Sequence, residues 1–287
     1  MDERTPVSVV TGANSGLGRA VARALVAAGD RVFMVARDAS RGAAARDQLI
    51  AETGNLRVEL LVADLASQAD VRRLAKALGE RADQIDRLIN NAGTAYPVRG
   101  LTADGIERTF AVNHLAPFLL TNLLLPLLEH AAAARIVNVG TRIDTKIELD
   151  DINFDRRRYS MMRAYGQAKL GNILFTRGLA ARLDGTGITA NCVFPGVFRS
   201  NLGGTDGAQS ALLRLFARTF GWALPTPESA AERVLYLLQS ADVSDTSGGY
   251  FGKRRLIRAP AQADDPGAVE QLWRLSAELT GLQTDGA

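Results

Sequence analysis

The stretch Val7-Ser8-Val9-Val10-Thr11-Gly12-Ala13-Asn14-Ser15-Gly16-Leu17-Gly18 runs from an apolar, valine-rich segment straight into three closely spaced glycines. Its first part, over 7–10, reads as a buried strand. Its second part reads as the turn into a helix. Residues without a β-carbon let the backbone approach a ligand closely, and a helix N-terminus favours negative charge. The spacing is G-x-x-x-G-x-G rather than G-x-G-x-x-G. Alone, such a loop fits a phosphate cradle and a tight turn about equally; its place directly after a strand favours the cradle.

Working outward, further β-branched apolar runs occupy 32–35, 58–62, 87–89, 136–139 and 188–194, with longer stretches of helical period between them. Strands without apolar/polar alternation, separated by helices, imply a parallel sheet covered on both faces and joined by right-handed crossovers. No repeat, linker or low-complexity block interrupts the pattern. Residues 1–287 are therefore expected to form one doubly wound α/β domain, with its ligand at the carboxyl ends of the strands.

Composition narrows the chemistry. With 287 residues, 47% hydrophobic and 23% charged, the chain can bury a sizeable core. A single cysteine, Cys192, excludes an internal disulfide framework, and two histidines, His114 and His130, leave little for zinc, so no metal is expected. The net charge of +3 is spread along the chain. Clusters at Arg156-Arg157-Arg158 and at Lys253, Arg254, Arg255 and Arg258 lack interleaved aromatics, and no nucleic-acid partner is expected. No apolar segment precedes the first strand, and the leucine-rich run 118–128, interrupted by Asn122 and Pro126, reads as too short to span a bilayer. The expectation is a cytoplasmic protein with no membrane partner. Abundant arginine and alanine fit a GC-rich bacterial genome.

Tyr165-Gly166-Gln167-Ala168-Lys169 sets a phenol and an ammonium on the same side of one helical turn. A phenol with a pKa of about 10 is a poor proton shuttle near neutrality, but a fixed cation within a few Å favours the phenolate. By itself the spacing describes an ordinary solvated helix face. Its neighbours in the sequence decide between the two.

Those neighbours are, in order, the glycine loop at 11–18, Asp64 after the third strand, Asn90-Asn91-Ala92-Gly93 after the fourth, Asn113 on the next helix, the Tyr165/Lys169 pair, and Pro195-Gly196 after the sixth strand. With this ordered set the chain resembles the short-chain dehydrogenase/reductase family over nearly its whole length. Asn113-His114-Leu115, the segment 151–162 and Tyr250-Phe251 bring it nearest to the retinol-dehydrogenase-like and WW-domain-oxidoreductase-like branch. The resemblance implies a Rossmann-type sheet of about seven mostly parallel strands and hydride transfer between a nicotinamide cofactor and a carbonyl or alcohol carbon.

It also implies roles. Gly12, Asn14, Ser15, Gly16, Leu17 and Gly18 would cradle the cofactor, Asp64 and Leu65 would meet the adenine, and Asn91, Ala92 and Gly93 would lie beneath the adenosine. Pro195, Gly196, Val197 and Ser200 would close over the nicotinamide, with Ser200 where threonine is more usual. The second strand ends Val35-Ala36-Arg37-Asp38. A cation there suits a ribose 2′-phosphate and an acid suits a 2′-hydroxyl. Arg37, with Arg41 one turn further, favours NADP(H); Asp38 keeps NAD(H) as the alternative.

Tyr165 would move the proton on the substrate oxygen. Lys169 would lower the tyrosine pKa and contact the nicotinamide ribose, Thr141 would orient the oxygen, and the Asn113 carbonyl would hold a water relay. Gly140-Thr141 replaces the family's serine pair; the threonine keeps a hydroxyl, but its β-methyl restricts χ1. The Asn113 carbonyl lacks its helical donor because residue 117 is Pro117, which predicts a local kink.

Tyr96 and a lid over 198–225 carrying Phe198, Leu202, Leu212, Leu215, Phe216 and Trp222 suggest an apolar pocket for a small hydrophobic ketone, aldehyde or alcohol. Two other readings stay open: reduction of an activated C=C bond, and a cofactor-binding regulator without turnover, which the intact Tyr165/Lys169 pair argues against. A serine hydrolase lacks its Gly-x-Ser-x-Gly elbow. The helices carrying Asn113 and Tyr165, with apolar residues over 119–128, suit pairing in a homo-oligomer, a contact that an amphipathic tail at 269–282 would alter.

Overall fold

The computed structural model describes residues 4–142, 144–196 and 225–283. Among these, β1 (Val7–Thr11), β2 (Arg31–Ala36), β3 (Val58–Val62), β4 (Arg87–Asn90), β5 (Arg135–Val139), β6 (Thr189–Phe194), β7 (Tyr250–Gly252) and β8 (Arg255–Leu256) form one sheet in the order β3-β2-β1-β4-β5-β6-β7-β8. All neighbours pair in parallel except β8, which turns back on β7 through a hairpin in which Lys253 takes φ 59°. The sheet is the expected Rossmann-type one, with this short antiparallel edge strand added. Winding reverses between β1 and β4, so a crevice opens at the carboxyl ends of these two strands.

Seven helices cover the sheet among the described residues: α1 (Gly16–Ala27), α2 (Ala39–Thr53), α3 (Gln68–Gly79), α4 (Arg108–Glu129), α5 (Met161–Arg182), α6 (Pro227–Gln239) and α7 (Pro266–Thr280). Successive strand residues feed opposite cores. Val9, Phe33, Leu88 and Ile136 pack with α3, α4 and α5, while Val10, Met34, Ile89 and Val137 pack with α1, α2 and α6. Both faces are buried, which is why the strands show no polar alternation.

Helix α4 corrects one expectation. Its 22 residues, running from Arg108 rather than from 118, are long and apolar enough to cross a membrane, so the length argument fails; 72% of its most apolar window is buried inside the protein. The break expected at Pro117 takes the form of a π turn over Ala111–Leu115, in which the Ala116 N–H reaches back to the Ala111 carbonyl. A widened turn just before a residue with no N–H accommodates the missing donor.

The C-terminal α7 packs against α4 and α5. Trp273 meets Phe118 of α4 edge-on at 5.0 Å and Phe175 of α5 at a tilt at 5.8 Å, and the Arg182 guanidinium sits 3.9 Å from its ring centroid. Nearby, Arg156 and Arg157 form ion pairs with Asp150 and Asp151, so that arginine cluster serves its own loop.

Candidate active site

The loop after β1 is shaped by glycine. Gly12 and Gly16 take φ of +66° and +53°, a region other residues enter at a cost, and a β-carbon at Gly12 would lie 3.0 Å from the Ala92 Cα. A β-carbon at Gly18 would collide with the Gly12 carbonyl. The Thr11 hydroxyl accepts the backbone N–H groups of Asn91 at 2.9 Å and Ala92 at 3.0 Å, while the Asn91 amide donates to the Thr11 carbonyl at 2.7 Å. Loops at the ends of β1 and β4 are thereby tied together beneath the crevice.

At the end of β2, Asp38 begins α2. One of its oxygens accepts the Arg41 N–H at 2.8 Å and the Ser40 hydroxyl at 2.7 Å, and these bonds hold its carboxyl below the usual range. Asp38 is thus occupied as a helix cap. Arg37 and Arg41 border the crevice beside it.

The crevice holds a cavity of about 500 Å³. Gly12, Asn14, Ser15, Gly16, Leu17, Gly18, Arg37, Asp64, Leu65, Asn91, Ala92, Gly93, Pro195 and Gly196 all line it, as do Thr141, Tyr165 and Lys169. Val197, Ser200 and the apolar lid residues from Phe198 to Trp222 lie outside the described residues. Tyr96, Val112, Met162 and Phe194 add an apolar wall. Glycines whose β-carbons would strike the backbone, a helix start after β1 and cations at the end of the neighbouring β2 are the parts a dinucleotide needs.

Asn113 stands behind the cavity wall, held by its side chain. It is not among the residues lining the cavity but lies behind Gly93, where an added β-carbon would meet its Oδ1 at 2.7 Å and the Lys169 Nζ at 3.2 Å. Its buried side chain accepts the Thr94 N–H at 3.1 Å and donates to the carbonyls of Thr94 and Thr109, each at 2.7 Å. The amide therefore fixes the strand-end loop to α4, a job the motif alone did not reveal.

Tyr165 and Lys169 do share one face of α5, both opening on the cavity. Burial dominates the electrostatics of both groups. Burial pushes the phenol up to about 12, partly offset by the Thr141 side chain. Burial pushes the lysine down to about 8. Its Nζ donates to the Val139 carbonyl at 2.8 Å and stands 5.9 Å from the Tyr165 ring centroid. In this arrangement the phenol is a proton donor at neutral pH, and the ammonium is held by the end of β5.

Sequence reading missed the buried polar chain behind the pair. Asn90 donates to Thr121 and Asn138, and Asn138 donates to Thr176, joining β4, β5, α4 and α5. Asn138 in an otherwise apolar strand was the available signal, since a buried amide needs partners. His114, burial-shifted to about 4, meets Ser276 of α7 at 2.9 Å.

Comparison with known proteins agrees with this geometry. The chain matches the short chain dehydrogenase family over residues 6–210. It is 39% identical to human retinol dehydrogenase 13 over 282 residues, covering 96% of this chain and 84% of that protein. Among solved structures, an uncharacterised protein of Mycobacterium paratuberculosis superposes with a TM-score of 0.77 at 32% identity, covering 98% of this chain and 96% of the other. The Pseudomonas aeruginosa RhlG/NADP active-site complex superposes with a TM-score of 0.67 at 29% identity over 86% and 94% of the two chains.

Proposed function

The chain belongs to the short-chain dehydrogenase/reductase family, on its retinol-dehydrogenase-like branch, and from that premise we propose that it is an NADP(H)-dependent oxidoreductase of hydrophobic ketones, aldehydes or the corresponding alcohols. The observation that carries the reading is that Tyr165, Lys169 and Thr141 line the same cavity as the glycine loop and Arg37.

The loop at 12–18 would hold the pyrophosphate, Asp64 and Leu65 the adenine, and Arg37 with Arg41 the 2′-phosphate. The NADP bound to the RhlG relative, and the engagement of Asp38 as a helix cap, support NADP(H) over NAD(H). Bound there, the nicotinamide supplies or accepts the hydride at the substrate carbon.

The remaining chemistry belongs to the protein. In the reductive direction Tyr165 gives its phenolic proton to the carbonyl oxygen, which becomes the alcohol hydroxyl; in the oxidative direction it takes that proton back. The Thr141 hydroxyl donates to the same oxygen and orients it. Lys169 keeps positive charge next to the tyrosine as it loses its proton, which stabilises the phenolate. Tyr96, Val112, Met162 and Phe194 give the cavity an apolar wall that favours an apolar substrate.

The test is a screen of NADPH oxidation against hydrophobic ketones and aldehydes, with the products identified. Alcohol products support the reading. Saturation of a C=C bond with the carbonyl left intact would replace it, and NADPH binding without turnover of any substrate would point to a regulator.

A further inference from the structure

We propose that Tyr250, on the short strand β7, is a positioning residue that aims the Thr141 hydroxyl into the cavity. The proposal rests on the oxidoreductase reading above, in which Thr141 holds the substrate oxygen.

The problem it solves is created by Gly140. Strand β5 ends at Val139, and the Gly140 N–H makes one more backbone bond, to the Val193 carbonyl at 2.8 Å. Thr141 lies beyond the strand, half-buried at the cavity wall. Immediately before it stands the residue with the greatest backbone freedom. Cys192 forces that choice: a β-carbon at Gly140 would fall 2.7 Å from its sulfur. The strand therefore delivers Thr141 on a loose joint, and some other group has to fix its direction.

Tyr250 does so from two strands away. It pairs with Cys192 across β6 and β7, its ring runs past Gly140 with Cε2 3.7 Å from the ideal β-carbon position, and its hydroxyl donates to the Thr141 carbonyl at 2.9 Å. Only 3% of the residue is exposed, and burial raises its phenol well above the ordinary value, so it stays a donor throughout the working range. The bond falls on the backbone of residue 141 and fixes its peptide plane. A threonine has few χ1 choices, so fixing the backbone fixes the hydroxyl. That hydroxyl is the group that offsets burial at the Tyr165 phenol. The line of control runs from Tyr250 to the Thr141 carbonyl, then from the Thr141 hydroxyl to the proton-transfer tyrosine.

A double-mutant cycle tests this. Tyr250→Phe keeps the ring and removes the donor. In the wild-type background it should lower kcat by about tenfold, the effect of one lost hydrogen bond, with NADPH affinity nearly unchanged. In the Thr141→Ala background the same change should cost nothing further, since no hydroxyl remains to be aimed. Hydrogen–deuterium exchange gives a readout independent of turnover: exchange over residues 140–142 should quicken in Tyr250→Phe while the rest of the sheet keeps its protection. Equal losses in both backgrounds, or unchanged exchange at 140–142, would overturn the proposal. If Tyr165→Phe turns over like wild type, the oxidoreductase reading fails instead, and the exchange result still decides whether Tyr250 anchors Thr141.

Discussion

The Cys192 sulfur occupies the space that a side chain at Gly140 would need, 2.7 Å from the position its β-carbon would take. The family's serine pair cannot be restored here by one substitution. Gly140→Ser should destabilise the protein by about 1–3 kcal/mol through overpacking. Adding Cys192→Ala should recover most of that. Urea midpoints of the two variants check it, and a neutral single substitution would show that the strands part more easily than this packing allows.

Lys169 is 2% exposed and charged at neutral pH. Unfolded, it takes its ordinary value of 10.5; folded, about 8. Between those values the unfolded chain binds more protons, so stability rises with pH across that window, and below it the folded state carries a cost of about 3 kcal/mol. Lys169→Met should therefore raise Tm at pH 7 by several degrees while lowering turnover by about a hundredfold or more. The gain in Tm should shrink above pH 8 and vanish near 10.5. A lowered Tm at pH 7 would mean that the bond to Val139 outweighs the burial of charge.

His114 gives a second pH signature of the same sign. Its ordinary value is 6.5 and burial takes it to about 4, so the unfolded chain binds more protons between them and stability falls by about 3 kcal/mol as pH drops through that range. Carboxylates held low, such as Asp151 at about 2, lose their contribution only at lower pH. In His114→Phe the decline between pH 6.5 and 4 should flatten, as measured by denaturant unfolding at each pH. An unchanged slope would assign the loss to other groups.

Arg37 is expected to set cofactor choice. Replacing it with alanine should raise the KM for NADPH by about 10- to 100-fold, the loss of a charge-assisted contact, and leave the KM for NADH nearly unchanged. Parallel titrations with the two cofactors decide the matter; equal losses would place Arg37 outside the 2′-phosphate site.

The sheet was legible because its strands announce themselves locally. Runs such as Val32 to Val35 fall inside β2, and the glycines at 12, 16 and 18 have the conformations or close contacts that their spacing implied. What local pattern could not carry are relations made by the fold. Asn113 was read for its main-chain carbonyl alone; that its side chain also clamps Thr94, a residue brought to it from another strand end, is visible only in the fold. Spacing set Tyr165 beside Lys169 correctly, but only burial reveals that each is pushed away from its charged form. Pro117 was visible as a defect, whereas its relief by a π turn depends on how α4 packs.

The central claim is that Tyr165 moves the proton in a hydride-transfer reaction, and Tyr165→Phe tests it most directly. With a ketone found in the screen, kcat/KM should fall by roughly 10²–10⁴-fold while NADPH still binds with near wild-type affinity. Turnover at a near wild-type rate to the same alcohol product would contradict the account.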